Sequence, residues 1–330
     1  MSVAIEDVVQ QREQGPLGKL VTTQAFWVTI AVIIICTVMS FITDVFATQD
    51  NFFNITRNFA FIGIIALGMT AVIITGGIDL SVGSVMGLVG MNTAIVLTNG
   101  YPLIVGIFAG LLTALACGLV NGVLIAYMNL SPFVVTLGML SIARSLAMVF
   151  SGNKMVYQFG PDEELFVQLG GGTVFGIANP VVVLLVLMVV FAIVFKYTSW
   201  GRWIYAIGGN EQAARLTGVP VNLIKLSVYV LSSLMAGISA ILIVGWLGSA
   251  INALGQTYEL RVIASSVIGG ANLMGGAGGA YGSVIGALLI EVIRNSLLLA
   301  GVDANWQGTF VGLFIIFAVM LEKLRGKPTG

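Results

Sequence analysis

The 330-residue sequence contains no histidine. It therefore lacks the side chain that titrates near neutral pH and most often ligates metals, which excludes histidine-based acid–base chemistry, proton relays and metal centres. It is also short of charge. Only 8% of residues are Asp, Glu, Lys or Arg, against about a quarter in soluble domains, too few to coat a globule. Fourteen basic and fourteen acidic residues cancel, and no basic run offers a footprint for nucleic acid. The two cysteines, Cys36 and Cys117, both sit in apolar runs and read as small packers rather than a disulfide or metal pair. No Gly-x-x-x-x-Gly-Lys-Ser/Thr loop is present to cradle a phosphate, so ATP hydrolysis by this chain is not expected. The head, Met1 to Val21, carries Glu6, Asp7 and Glu13 and does not resemble a cleavable signal peptide, so the first apolar run is expected to stay as an anchor.

What the sequence has instead is 58% hydrophobic residues, gathered in long runs. A helix needs about 20 mostly apolar residues to cross the hydrocarbon. Ten segments qualify or nearly so: 24–44, 59–75, 82–98, 103–127, 133–150, 179–196, 225–247, 260–274, 280–300 and 306–322. The fold class expected is an all-α polytopic membrane protein of about ten transmembrane helices with broken or re-entrant segments. Residues 1–22 and 323–330 are expected as tails around one transmembrane domain, 23–322, with loops at 151–178 and 197–225.

Lys and Arg mark the cytoplasmic side of span ends. Arg12 and Lys19 precede the first span, Lys196, Arg202, Arg215 and Lys225 lie between the sixth and seventh, and Lys323, Arg325 and Lys327 close the chain. Ten spans put all three segments on one face, with both termini cytoplasmic. The acidic run Asp162-Glu163-Glu164 then lies outside.

Glycine is the other abundance. Gly76-Gly77 followed by Gly83-Ser84-Val85 and Gly87 matches Gly275-Gly276 followed by Gly282-Ser283-Val284 and Gly286, at an offset of 199 residues. With 42 glycines in the chain chance can produce this. The alternative is two weakly related halves, each with a broken helix, as in many transporters. The first break contains Asp79, a carboxylate costly at membrane depth unless something polar needs it. Asp79 or Ser81 can cap the following helix, and a capped helix start beside a pathway offers amide donors to a polar substrate. Asp79 could also hold a cation or proton.

Between the sixth and seventh spans, Asn210 reads as an N-cap, Glu211 and Arg215 as an i,i+4 pair, and Gly218 as a C-cap. The result is a short helix outside the bilayer with the small residues Ala213 and Ala214 on its surface. It is either a generic surface helix or an element that docks into a soluble partner. In Ser131-Pro132-Phe133-Val134-Val135-Thr136, Pro132 suits the first turn of the fifth span and Ser131 its cap. Arg144, further along, faces the bundle interior, an acid or the interface. Tyr258-Glu259-Leu260-Arg261 opens the short eighth span. Glu291 and Arg294 in the ninth are spaced as a self-neutralising helix pair.

Four of these stretches, in this order, resemble the ribose/xylose/galactose-type permeases of bacterial ABC sugar importers: Gly76-Gly77-Ile78-Asp79-Leu80-Ser81-Val82-Gly83, Pro132 to Gly138, Gly208-Gly209-Asn210 to Gly218, and Tyr258-Glu259-Leu260 with Val267 to Gly276. The resemblance runs from about Asn51 to Leu321. It implies a bacterial inner-membrane permease that dimerises with a second copy of itself. The implied partners are a cytoplasmic ATP-binding subunit with tandem nucleotide-binding domains, which would carry ATP and Mg, and a periplasmic sugar-binding protein. No cofactor is expected on this chain. The coupling element would be Asn210, Glu211, Ala213, Ala214, Arg215, Thr217 and Gly218. Candidate pathway residues are Asp79, Ser81, Phe133, Thr136 and Asn272. Two positions depart from the common pattern: Ser145, where members often have glycine, and Arg261, where they often have an acid. Competing expectations are an ion-coupled secondary transporter, a branched-chain amino-acid ABC permease and a passive channel.

Overall fold

The computed structural model describes Val21 and residues 23–303, with Trp306, residues 308–310, 312, 313 and 316 beyond them. The expected tails 1–22 (Val21 apart) and 323–330, and ten of the seventeen residues of the tenth expected span, lie outside the described residues. Among the described residues, seven helices are long and apolar enough to cross a membrane: α1 (Gln24–Ile42), α2 (Gln49–Ile74), α4 (Leu103–Ala126), α5 (Pro132–Phe150), α7 (Asn179–Tyr197), α10 (Val221–Leu247) and α12 (Ala280–Leu299). Between them lie the 17-residue α3 (Val82–Thr98), the amphipathic α6 (Glu163–Gly171), α8 (Ser199–Gly209), α9 (Glu211–Leu216) and the 11-residue α11 (Tyr258–Ile268). Among the described residues, strand structure is confined to two small pairs. β1 (Val156–Tyr157) pairs antiparallel with β4 (Ser249–Ala250), and β2 (Thr173–Val174) with β3 (Ile177–Ala178).

Two helices form the axis of the bundle. α10 packs on α2, α3, α4 and α6, and α2 packs on α7, α10, α11 and α12. Every residue from Phe59 to Ile74 is buried. Between helices in hydrocarbon there is no hydrophobic driving force, so close approach through small residues supplies the packing. A methyl group at Gly118 of α4 would sit 2.7 Å from the Val230 Cα, and one at Gly68 of α2 2.9 Å from the Ser232 Cα. Polar side chains cross the same contacts. Ser239 donates to the Phe61 carbonyl at 2.9 Å, and Thr70 to Ser266 Oγ at 3.0 Å. Asn51 and Asn295 exchange amide bonds at 3.2 and 2.8 Å between α2 and α12.

Two expected boundaries move most. α2 begins at Gln49, ten residues before the run read from the sequence, because its polar first turns find partners: Asn51 in Asn295, and Arg57 stacked on Phe53 at 4.5 Å and Trp246 at 5.1 Å. α11 stops at Ile268 rather than 274, since Gly270 turns left-handed at φ 104°.

Candidate functional site

α2 ends where the Gly76 backbone adopts φ 76°, a conformation that glycine enters without steric cost. Five residues, 77–81, separate that turn from the start of α3, and they fold inward. Asp79 and Ser81 are fully buried. Asp79 Oδ1 accepts from the Ser81 N–H at 2.9 Å and the Ser81 hydroxyl at 2.6 Å, and Oδ2 accepts from Ser232 of α10 at 2.9 Å. Asn121 of α4 donates to Ser81 Oγ at 3.0 Å. The expected N-cap at this point is absent: Ser81 precedes α3 in helical conformation with no capping bond from its side chain. Asp79 instead closes a turn on its own backbone, as short Asx side chains do, and pins the break to α10.

The second break, residues 269–279, has the same glycine frame and another content. Asn272 Oδ1 accepts from the Met274 N–H at 2.8 Å, its carbonyl accepts from Gly275, and its N–H donates to Ala277. Met274 is 86% exposed. The two breaks touch, with the Gly276 N–H donating to the Ile74 carbonyl at 2.9 Å.

α8 presses on both. A methyl group at Gly208 would stand 1.8 Å from the Ile74 carbonyl oxygen and 2.4 Å from the Gly276 nitrogen, and one at Gly275 2.9 Å from the Gly208 carbonyl oxygen. Three backbones meet at a point only glycine allows. Tyr205 of α8 adds a hydrogen bond to the Gly278 carbonyl at 2.8 Å, and Trp200 one to Ser227 of α10 at 2.8 Å.

α9 follows one residue later with the ends its sequence announces. Asn210 Oδ1 accepts from the Ala213 N–H at 2.9 Å. At the other end Gly218 (φ 86°) donates to Arg215 and Val219 to Ala214, the paired bonds of a Schellman terminus. Glu211 binds Arg215 at 3.2 Å and also Lys225 of α10, and Arg215 reaches Asn222 at 3.2 Å. Burial alone would push the Glu211 carboxyl up. The bonds and charges of Lys225 and Arg215 outweigh it and hold the group below its ordinary value. Ala213 is exposed, but Ala214 is buried against the bundle. The Thr217 hydroxyl folds back onto the Ala214 carbonyl. Leu216, which the sequence reading passed over, is 89% exposed. Its signal was a lone large apolar residue ending a six-residue polar helix.

The remaining candidates scatter. Phe133 stands 54% exposed on α5, and Thr136 is buried with its hydroxyl on the Pro132 carbonyl. Ser131 makes no capping bond. Arg144 turns to backbone, donating to the carbonyls of Asn252 and Leu254 at 2.9 and 2.7 Å, which fastens α5 to the segment before α11. Glu291 and Arg294 pair as expected. The structure thus brings together Asp79 and Ser81, and sets the Asn272 loop against the first break. Asn121, Tyr229 and Ser232 complete the Asp79 surroundings. Tyr229, Ser232 and Ser233 share one face of α10 by their i, i+3, i+4 spacing, a polar stripe in an apolar helix that the sequence alone could have flagged.

Residues 51–319 match the family of branched-chain amino acid transport system permease components. The chain is 40% identical over 280 residues to a probable ABC transporter permease protein, y4mJ, of Sinorhizobium fredii, covering 85% of this chain and 83% of that one. It is 37% identical over 298 residues to the ribose import permease protein RbsC of Haemophilus influenzae, with 90% and 92% covered. It is 34% identical over 299 residues to the D-allose transport system permease protein AlsC of Escherichia coli, with 90% and 91% covered. No solved structure matches the chain.

Proposed function

The chain belongs to the family of branched-chain amino acid transport system permease components, and from that premise we propose that it is the membrane-spanning subunit of an ABC-type importer for a monosaccharide. The relatives named for ribose and D-allose support the cargo class. One observation carries the mechanism: α8, which Asn210 alone separates from α9, bears through Gly208 on both glycine breaks at once. A push on α9 has two broken helices directly beneath it.

In this reading α9 lies on the cytoplasmic face and seats in a groove of a separate ATP-binding subunit, one polypeptide with tandem nucleotide-binding domains. Leu216 is the apolar contact. Fully burying such a side chain contributes about 1.5–3 kcal/mol. Ala213 leaves room beside it. Asn210, Thr217 and Gly218 hold the helix ends, and Glu211, Arg215 and Lys225 tie the unit to α10, so that closure of the ATP-binding domains moves the bundle rather than the helix alone. A sugar delivered by a periplasmic binding protein enters a path between two copies of the chain by alternating access. Asp79, Ser81, Phe133, Thr136 and Asn272 remain the pathway candidates. The matched glycine frames of the two breaks support two related halves, with a tenth span completing the count and both termini inside.

The test is a reconstituted complex of permease, ATP-binding subunit and binding protein. Leu216→Ser is expected to weaken assembly, and Glu211→Ala to leave assembly intact while sugar-stimulated ATP turnover falls. Unaltered assembly and unaltered stimulated turnover in both variants would refute the coupling role. Uphill uptake by the permease alone, driven by an ion gradient and indifferent to ATP, would refute the importer reading itself.

A further inference from the structure

Asp79 is a full negative charge candidate with 0% exposure, inside a bundle that spans a membrane. Among the described residues no Lys or Arg lies within 4.0 Å of it; the ion pairs found are those of Glu211 and Glu291. Its bonds come from two serines. Around it, oxygen atoms are in excess. Tyr229, 1% exposed, has only the Ile78 backbone beside its hydroxyl and makes no well-formed hydrogen bond with it, and Asn121, 0% exposed, has no partner for its side-chain carbonyl oxygen. Both belong to the same cluster. The Asn121 amide nitrogen holds Ser81 Oγ, which places the carbonyl end of that amide beside the hydroxyl that binds Asp79. Tyr229 stands one helical turn before Ser232 on α10, and its hydroxyl lies 2.4 Å from where a Gly77 Cβ would be.

Orphaned polar atoms at such depth are rare and call for a bound partner. A water molecule would satisfy them and leave the charge uncompensated, at a cost of several kcal/mol for an ion taken out of water. A divalent ion asks for more than one carboxylate or several retained waters, and among the described residues no group of three or more Asp, Glu, His or Cys assembles anywhere. One carboxylate with neutral hydroxyl and carbonyl oxygens is a donor set for a hard, singly charged ion.

We propose that Asp79 binds a monovalent alkali cation, sodium or potassium, together with oxygen atoms of Ser232, Tyr229 and Asn121. The ion fastens the first glycine break to α10 and α4. It is a resident of the fold and is not carried with cargo. The proposal does not depend on the importer reading, since it concerns the chain's own stability.

The experiment is thermal unfolding of the full-length chain in detergent micelles, followed by tryptophan fluorescence. It is run in sodium, potassium or N-methyl-D-glucamine chloride at constant ionic strength. One alkali ion is expected to raise the midpoint saturably, by about 2–4 °C at ten times its dissociation constant. Asp79→Asn is expected to abolish that dependence. Tyr229→Phe is expected to keep it but shift the half-effective concentration upward about fivefold, the value of one hydrogen-bond-strength contact. Tyr229→Phe keeps the proposal testable even where Asp79→Asn does not fold. A wild-type midpoint identical in all three salts overturns the proposal and assigns Asp79 a proton instead. A salt dependence that survives unchanged in Tyr229→Phe or in folded Asp79→Asn places the ion elsewhere and overturns it equally.

Discussion

The two glycine breaks share a frame and differ in how they are held. The first, after α2, is buried and closed by a carboxylate that three donors reach, one of them 153 residues away on α10. The second, after α11, closes its Asn272 side chain on itself over two residues, reaches outside through backbone atoms of Gly276 and Gly278, and leaves Met274 86% exposed. A break tied to the central helix moves with that helix, whereas the second is tied to the end of α2 and to α8. Both rest on Gly208. The same push from α8 therefore meets a break held to α10 on one side and a break held to α2 and to α8 itself on the other.

Substitutions can break or sharpen that contrast. Asp79→Ala strips the acceptor from a buried N–H and two buried hydroxyls and is expected to cost about 3 kcal/mol, read as a lowered unfolding midpoint in micelles. A loss no larger than that of Asn272→Ala would erase the difference between the breaks. Gly208→Ala forces a methyl group into two backbones and is expected to cost about 2 kcal/mol. In the reconstituted complex it should also stop uptake, and wild-type uptake would show that the shared support transmits nothing. Asn272→Ala, which removes one local bond, is expected to cost about 1 kcal/mol. Met274→Ser is expected to stay within about 0.5 kcal/mol of wild type, and a larger loss would mean that the second break is packed in solution.

What could be read from the sequence follows from the range of the interactions. α9 was legible to the residue because Asn210, the Glu211–Arg215 pair and Gly218 act within one or two turns. The Glu291–Arg294 pair was legible for the same reason. Asp79 stood out as an oddity, but its partners did not: Ser232 and Asn121 come from helices that only the folded bundle brings near. Local propensity therefore suggested an N-cap where tertiary contact made a clasp. The start of α2 was missed in the same way. Asn51 and Arg57 interrupt an apolar run, and Asn295 and Trp246, from distant helices, help to make them acceptable in a helix. The meeting of Gly76, Gly208 and Gly275 left a trace, paired glycines in three separate motifs, without any sign that the three belong together.

The enclosure of α2 bears on how the protein is made. This helix leaves the ribosome well before its neighbours α10 and α12, which carry the Trp246 ring and the Asn295 amide that meet Arg57 and Asn51. During that interval Asn51 and Arg57 lack the Asn295 amide and the Trp246 ring, and keep only their local contacts with Phe46 and Phe53. Final assembly is thus a late, chain-length-dependent event rather than a helix-by-helix accretion.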